Sequence, residues 1–400
     1  MITLDSPALS TGKAFRIFEL DYRTDPRWEA FISSHPDALI YHHPGWLTAL
    51  ESEYGQKCVS LACEDQWGQV CAVLPLFYTK GLPLNFGRIA TGRRLSSLPR
   101  TPIAGPLALG REETQAILGY AVELANSKPG VRLEIKTAIG DLHESLGVLA
   151  SMPWRPTYVV ELPPVVEGNV WEEFWENLRL PRPCVSCVGC RRLRFGNARR
   201  QHRVNWAVNK GIKLGIEVRD AETEEDLAEW YKLYLLTMRH NAVPPRPYRF
   251  FQSLWSSLRP GGKMRLLIAE HREREQKRMV AGSIVLEFGQ TAFYAFTGCA
   301  PEDFHLYPHD VLQIESIRSA CRSGYRWYDF GEVAEDHDSL AQFKTKWGGD
   351  PKPLYRYYYP GPIEQATDVP GRLASSARTV WRILPPKVTE VLGDWTYRRM

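Results

Sequence analysis

The sequence predicts an α/β or α+β fold in two domains, and three observations carry that expectation. Short runs rich in β-branched and aromatic residues alternate with amphipathic stretches of helical period, which suits packed sheet and helix layers better than a helical bundle or a sandwich. The strand pair near residue 60 recurs near residue 270, so the halves read as diverged copies of one α/β unit. A chain of 400 residues with 44% hydrophobic and 24% charged positions has material for two ordinary cores and is neither disordered nor collagen-like.

In chain order, residues 14–21 read as a strand, and Pro44-Gly45-Trp46 opens a helix through Tyr54, because proline suits a first helical turn. Residues 57–63 and 69–79 follow as two strands around the turn Glu64-Asp65-Gln66-Trp67-Gly68. Residues 81–110, rich in Gly, Pro, Ser and Arg, read as a long irregular segment. In the second half, 224–238 and 311–321 have helical period, while 263–270, 279–287 and 291–298 read as strands, the first two joined by a charged turn at 271–278. Trp327-Tyr328-Asp329-Phe330 is a further strand and 339–347 a further helix. Consecutive prolines at Pro163-Pro164, just before Gly168, interrupt helix and sheet alike and put a domain boundary there.

A formal net charge of +4 is too small to demand a nucleic-acid partner, but its distribution is uneven. Eight arginines lie between Arg179 and Arg203 with no acid among them, and residues 371–400 carry six basic against two acidic side chains. In that tail Trp381, Ile383, Leu384, Val388, Val391, Leu392, Trp395 and Tyr397 interleave with the cations. Such a segment either packs back on its domain or attaches to anionic lipid. No apolar run is long enough to span a bilayer, and the N-terminus has an early acid and no apolar region of the signal-peptide kind, so the expected location is cytoplasmic.

Eight cysteines are too few for a disulfide scaffold in a chain of this length, and Cys58, Cys63, Cys71, Cys299 and Cys321 read as reduced core residues. Cys184-x-x-Cys187-x-x-Cys190 has spacing that a soft metal could use with His202 as a fourth ligand, but no second cysteine pair accompanies it, and no metal is expected. No Walker loop, GxSxG elbow, HExxH or dinucleotide fingerprint is present, which removes the main support for hydrolase and kinase chemistry.

What remains is an ordered set of motifs: Tyr41-His42-His43-Pro44-Gly45-Trp46; Ala198-Arg199-Arg200-Gln201-His202-Arg203 leading to Lys210-Gly211-Ile212; Tyr294-Ala295-Phe296-Thr297-Gly298; Tyr307-Pro308-His309-Asp310; Asp329-Phe330-Gly331; and Phe343-Lys344-Thr345-Lys346-Trp347-Gly348. In this order, over roughly residues 14–360, the chain resembles the FemAB-like branch of the GNAT acyltransferase superfamily, nearest to members associated with exopolysaccharide and exosortase (PEP-CTERM) systems. The resemblance implies two tandem GNAT-like domains, 1–165 and 166–360, each a mixed twisted sheet flanked by helices, and a basic amphipathic tail at 361–400. It also implies an acyl or aminoacyl transferase that forms an amide on a cell-envelope or exopolysaccharide precursor. The donor is either aminoacyl-tRNA or acyl-CoA. A typical CoA-binding GNAT holds pyrophosphate on a glycine-rich loop before a helix, whereas this chain has Leu306-Tyr307-Pro308-His309-Asp310. A CoA-dependent N-acetyltransferase and a catalytically silent precursor-binding module stand as alternatives.

Direct acyl transfer needs a free amine, a stabilised oxyanion and a route for the released proton. The resemblance implies Lys344 as the cation at the reacting carbonyl or at the donor's phosphate, with Lys346 nearby; Asp329 would accept the proton or else cap the loop through Gly331. Arg239, Arg246 and Tyr248 fall where relatives recognise an anionic acceptor, and Arg93 and Arg94 could line an anionic cleft. Arg199, Arg200 and Arg203 suit RNA phosphates, a diphosphate-linked acceptor or water. Tyr294 and Thr297 are read as alternating along one strand, offering a face to substrate while Phe293 and Phe296 pack. His42 and His43 precede the helix at Pro44 and either touch substrate or serve local capping and packing.

Overall fold

The computed structural model describes residues 15–81, 92–162, 198–273, 276–334, 337–361 and 378–399. They form two compact units: 15–154 with 354–361 and 398–399, and 155–353 with 378–397. The expected boundary at 163–168 lies outside the described residues. Residues 155–162 group with the second unit, residues 354–361 return to the first, and 378–397 group with the second.

The first unit starts with β1 (Arg16–Glu19), α1 (Pro26–Ser34) and α2 (Pro44–Tyr54). Asp25 caps α1 and His43 caps α2, each ahead of a proline that has no N–H to leave unsatisfied, and Gly55 closes α2 in the left-handed region at φ 66°. Next come β2 (Val59–Glu64), β3 (Val70–Thr79), β4 (Arg94–Ser96), β5 (Leu107–Ala108), α3 (Arg111–Asn126), β6 (Arg132–Thr137), α4 (Leu142–Ser145) and β7 (Ala150–Glu161). The segment expected to be irregular, 81–110, thus contributes two short strands among its described residues. The sheet runs β1-β2-β3-β4-β6 and is completed by residues 355–359, which pair antiparallel with β6. Leu61, Leu74, Leu95, Leu133, Ile135 and Tyr357 meet Ile117 and Leu118 of α3 in its core.

The second unit holds α5 (Ala198–Lys213), β8 (Ile216–Asp220), α6 (Glu224–His240), α7 (Tyr248–Leu258), β9 (Met264–Glu273), β10 (Gln276–Phe288), β11 (Thr291–Cys299), α8 (Pro308–Arg322), β12 (Trp327–Glu332), α9 (Asp338–Lys346), β13 (Asp350–Tyr359, shared with the first unit) and α10 (Pro386–Tyr397). Its sheet order is β7-β12-β11-β10-β9-β8. The expected turn at 271–278 is instead strand on both sides: Arg272 pairs with Lys277 and Glu273 with Gln276. Cross-strand pairing satisfies the backbone there while the charged side chains stay in water.

α6 begins at a capping box in which Thr223 and Asp226 exchange hydrogen bonds with each other's backbone. It lies so close to the sheet that two glycines are required. A Cβ on Gly298 would stand 2.6 Å from the Tyr234 nitrogen, and one on Gly282 2.6 Å from Trp230 Cδ1. Trp230 Nε1 donates to the Gly282 carbonyl at 2.9 Å, and Thr237 Oγ1 bonds both backbone groups of Cys299. Val311, Leu312 and Ile317 of α8 join Val280, Val285, Tyr328 and Trp347 in the core.

Candidate functional site

β11 and β12 run parallel and pair only over Thr291–Phe293 with Trp327–Asp329. Beyond that point β11 continues along β10 while Glu332 pairs with Thr157 of β7, so the two strands part. Past Phe293 the two strands no longer pair with each other. Opposite the opening, Ile284 pairs with Phe296 and Val285 with Tyr294, leaving Ala295 as an extra residue in β11.

This bulge corrects the expected alternation. In an unbroken strand residues 294 and 297 would face opposite sides. With one residue inserted, Tyr294 Oη lies 2.8 Å from Ser283 Oγ and donates to Thr297 Oγ1 at 3.5 Å. Thr297 Oγ1 is also 3.4 Å from His309 Nδ1. Ser283, Tyr294, Thr297 and His309 therefore form one hydroxyl and imidazole chain on the side opposite Gly282 and α6. Burial holds the His309 imidazole neutral, its pKa down at about 4. Neither His309 nor Ser283 was evident as a site residue in the sequence, since only the fold brings α8 and β10 to Tyr294 and Thr297.

The other edge carries the expected catalytic pair. Lys344, 6% exposed, donates from Nζ to the carbonyls of Gly331 at 2.9 Å and Glu332 at 3.1 Å. Burial lowers its pKa to about 8 against the opposing pull of Asp329 and Glu332. Asp329 Oδ1 accepts from Thr157 Oγ1 at 2.5 Å and from the Gly331 N–H at 2.7 Å, with Gly331 at φ 80°. Burial raises the Asp329 pKa, while Thr157, Gly331 and Lys344 hold it back. The loop-capping bond to Gly331 is thus present, and it fixes the carbonyl that Lys344 grips.

Lys346 is tied to Asp310 in the first turn of α8 and lies 5.1 Å from the Phe343 ring centre. α8 starts at Tyr307 in the left-handed region, then Pro308, which has no N–H, then His309 and the buried Asp310. α5 packs directly on this start: a Cβ on Gly211 would stand 2.6 Å from Val311 Cγ2 and 3.2 Å from the Tyr307 carbonyl. Lys210 Nζ lies 5.0 Å from the Trp206 ring centre and 5.3 Å from that of Tyr307. Arg199, Arg200 and Arg203 belong to α5; Arg203 is exposed, and the side chains of the first two lie outside the described residues.

Arg246 stands on the other face of β11. Its guanidinium lies 4.4 Å from the centre of Phe250, 5.7 Å from that of Phe296 and 5.2 Å from that of Tyr397. Tyr231 and Tyr234 hydroxyls hold its backbone at 3.0 and 3.1 Å. Tyr248 is half-buried, 5.0 Å from the Tyr231 ring centre, and Arg239 is half-buried on α6.

In the first unit, Arg93 is exposed, whereas Arg94 donates to the buried Glu134 at 2.9 Å, as Arg356 does at 2.8 Å. Burial would raise the Glu134 pKa, but Lys136, Arg356 and Arg94 outweigh it and bring it to about 2. Arg94 therefore serves this internal carboxylate, a role that the loop composition did not suggest. His42 accepts the Leu39 N–H on Nδ1 and hence carries its proton on Nε2, 3.1 Å from the Gly105 carbonyl; burial holds its pKa down at about 4. His43 accepts the Gly45 N–H and so caps α2, while His42 caps only the short turn at Leu39. Cys184, Cys187 and Cys190 lie outside the described residues, and His202 is exposed. Among the described residues no three His, Cys, Asp or Glu side chains converge as metal ligands, and no helix is long and apolar enough to cross a membrane.

Residues 197–344 match the family described as the acetyltransferase (GNAT) domain. A UDP-N-acetylmuramoylpentapeptide-lysine N(6)-alanyltransferase of Weissella viridescens is 27% identical over 139 residues, 34% of this chain and 40% of that protein. The chain thus aligns with less than half the length of this relative. Among solved structures, FemX superposes with a TM-score of 0.60 at 15% identity, covering 91% of this chain and 100% of that one. The C-terminal domain of a putative lysylphosphatidylglycerol synthetase from Agrobacterium fabrum does so with a TM-score of 0.52 at 11% identity, covering 88% and 94%. The chain therefore carries a GNAT domain at residues 197–344, with homology to a FemAB-type aminoacyltransferase, in the fold seen in FemX.

Proposed function

We propose that this protein is an aminoacyl transferase of the FemAB type, forming an amide on an amine of an anionic cell-envelope precursor, with aminoacyl-tRNA rather than acyl-CoA as donor. The observation that carries the reading is Lys344 at the parting of β11 and β12. Two of its three N–H donors are engaged by the Gly331 and Glu332 carbonyls, which aims the third. A carbonyl lying in the opening would meet a preorganised cation in a largely dry site, where it stabilises a developing oxyanion most. Asp329 keeps Lys344 charged and assists proton removal from the amine. Tyr294, Thr297 and Lys346 border the donor, and Arg239 and Tyr248 hold the acceptor's anionic groups; Arg246, buried among Phe250, Phe296 and Tyr397, is a packing residue instead.

The start of α8 argues against CoA. A pyrophosphate nest needs free N–H groups at a helix N-terminus, whereas this one begins with a proline and places a carboxylate in its first turn. Lys210 of α5, 5.3 Å from the Tyr307 ring centre, and the exposed Arg203 on the same helix supply cations for a polyanionic donor. The relative's name favours a UDP-linked muramoyl-peptide acceptor over an exopolysaccharide one. The site of action would be cytoplasmic, at the inner face of the membrane where envelope precursors collect.

Native mass spectrometry with acyl-CoA and aminoacyl-tRNA at two salt concentrations tests the donor. Salt-sensitive tRNA binding is expected, because each phosphate contact releases counterions. Saturable CoA binding alone would reassign the protein as a CoA-dependent N-acyltransferase, and binding of acceptor without either donor would make it a precursor-binding module.

A further inference from the structure

α10 is amphipathic the wrong way round for a helix that closes a soluble domain. Its inward face is Thr389, Gly393 and Tyr397, all buried, and a Cβ on Gly393 would stand 2.3 Å from the Pro245 carbonyl oxygen. Its acids are engaged on that side: Asp394 pairs with Arg249, and Glu390 lies near the Tyr231 hydroxyl, whose pKa it helps to raise. The outward face is apolar at i, i+3, i+4 and i+7, with Val388 41%, Val391 68%, Leu392 39% and Trp395 43% exposed. The helical residues 378–383 just before it add Val380 at 54% and Ile383 at 76%. Arg378, Arg382 and Lys387 are exposed among these apolar side chains.

Six large apolar side chains exposed over sixteen residues, four of them in one stripe on α10, present surface that water disfavours. We infer that residues 378–395 dock on an anionic lipid bilayer, with the stripe Val388, Val391, Leu392 and Trp395 entering the interface and Arg378, Arg382 and Lys387 meeting the headgroups. This rests on the proposed function only for its purpose, which is to bring the enzyme to membrane-held precursors. Charge selects the occupant. The acids face inward, so the exposed surface is apolar and cationic, which complements anionic headgroups and sets like charges against each other if two copies meet. Tryptophan beside aliphatic side chains and basic residues is the composition of an interfacial helix.

The test is flotation of the full chain with vesicles of phosphatidylcholine, alone or mixed with phosphatidylglycerol. Binding to the mixed vesicles is expected, weakened about tenfold or more by Val391→Glu with Trp395→Glu, and weakened by added salt or by Arg382→Glu with Lys387→Glu. Trp395 is partly covered and Arg382 donates to the His240 carbonyl at 3.0 Å, so thermal midpoints are measured alongside, and only variants that keep a single cooperative transition near that of the parent are compared for vesicle binding. Equal flotation with both vesicles, no flotation, or a dimer in sedimentation that Val391→Glu dissociates would each overturn the proposal. Transfer to a soluble acceptor should persist in the variants. Vesicle binding without any transfer activity would sink the enzymatic reading and leave the docking surface standing.

Discussion

Lys344 Nζ donates at 2.9 Å to the carbonyl of Gly331, a residue held in the left-handed region whose own N–H is bound by Asp329 at 2.7 Å. A lysine otherwise mobile about four side-chain torsions is thereby fixed at a strand edge. The carboxylate acts on it twice, through the backbone geometry of Gly331 and through its electric field.

Replacement of Lys344 by Met should lower kcat by about two orders of magnitude, the usual cost of removing one preorganised donor at an oxyanion. The thermal midpoint should fall, since the Gly331 and Glu332 carbonyls and the buried Asp329 lose their partner. Transfer of a labelled amino acid from aminoacyl-tRNA, with calorimetry of the same samples, checks both. Unchanged turnover would remove Lys344 from the mechanism.

The rate should fall as pH rises through about 8, where the Lys344 ammonium loses its proton. Deprotonation of the acceptor amine works in the opposite direction, so a bell is expected with Lys344 on its alkaline side. In Asp329→Asn, whose amide oxygen can still accept from Thr157 and Gly331, the alkaline limb should move to lower pH, because the charge that raises the Lys344 pKa is gone. A merely structural Asp329 would leave that limb in place.

Stability should decline as pH falls through the window from 6.5 to about 4 in which His42 and His309 are neutral when folded and protonated when unfolded. The sign follows from the folded pKa lying below the unfolded one: the unfolded chain binds the extra protons. Each histidine contributes a slope of about 1.4 kcal/mol per pH unit. Urea midpoints across that range should flatten in part for His42→Gln.

Gly298→Ala should destabilise the second unit by roughly 1–3 kcal/mol, since the new methyl meets backbone atoms of α6 that cannot move without the helix. Chemical denaturation of parent and variant measures it. An unchanged midpoint would mean that α6 is not seated on β11 as described.

Much of this protein was legible in its sequence because the signals were local. Pro44 and Gly55 bracket α2, the alternating runs near residues 60 and 75 became β2 and β3, and the Phe343-Lys344 motif pointed to a lysine that proved buried beside Asp329. The order of such motifs was enough to suggest the GNAT fold. Tertiary structure alone decided the rest, because it depends on register and on partners far along the chain. A single inserted residue at Ala295 turned Tyr294 and Thr297 to the same side, and Glu134, distant in sequence, claimed Arg94. The tail shows the division most clearly: composition determined that residues 378–397 are apolar and basic, but only packing of Thr389, Gly393 and Tyr397 against the second unit determined which face is left for a partner.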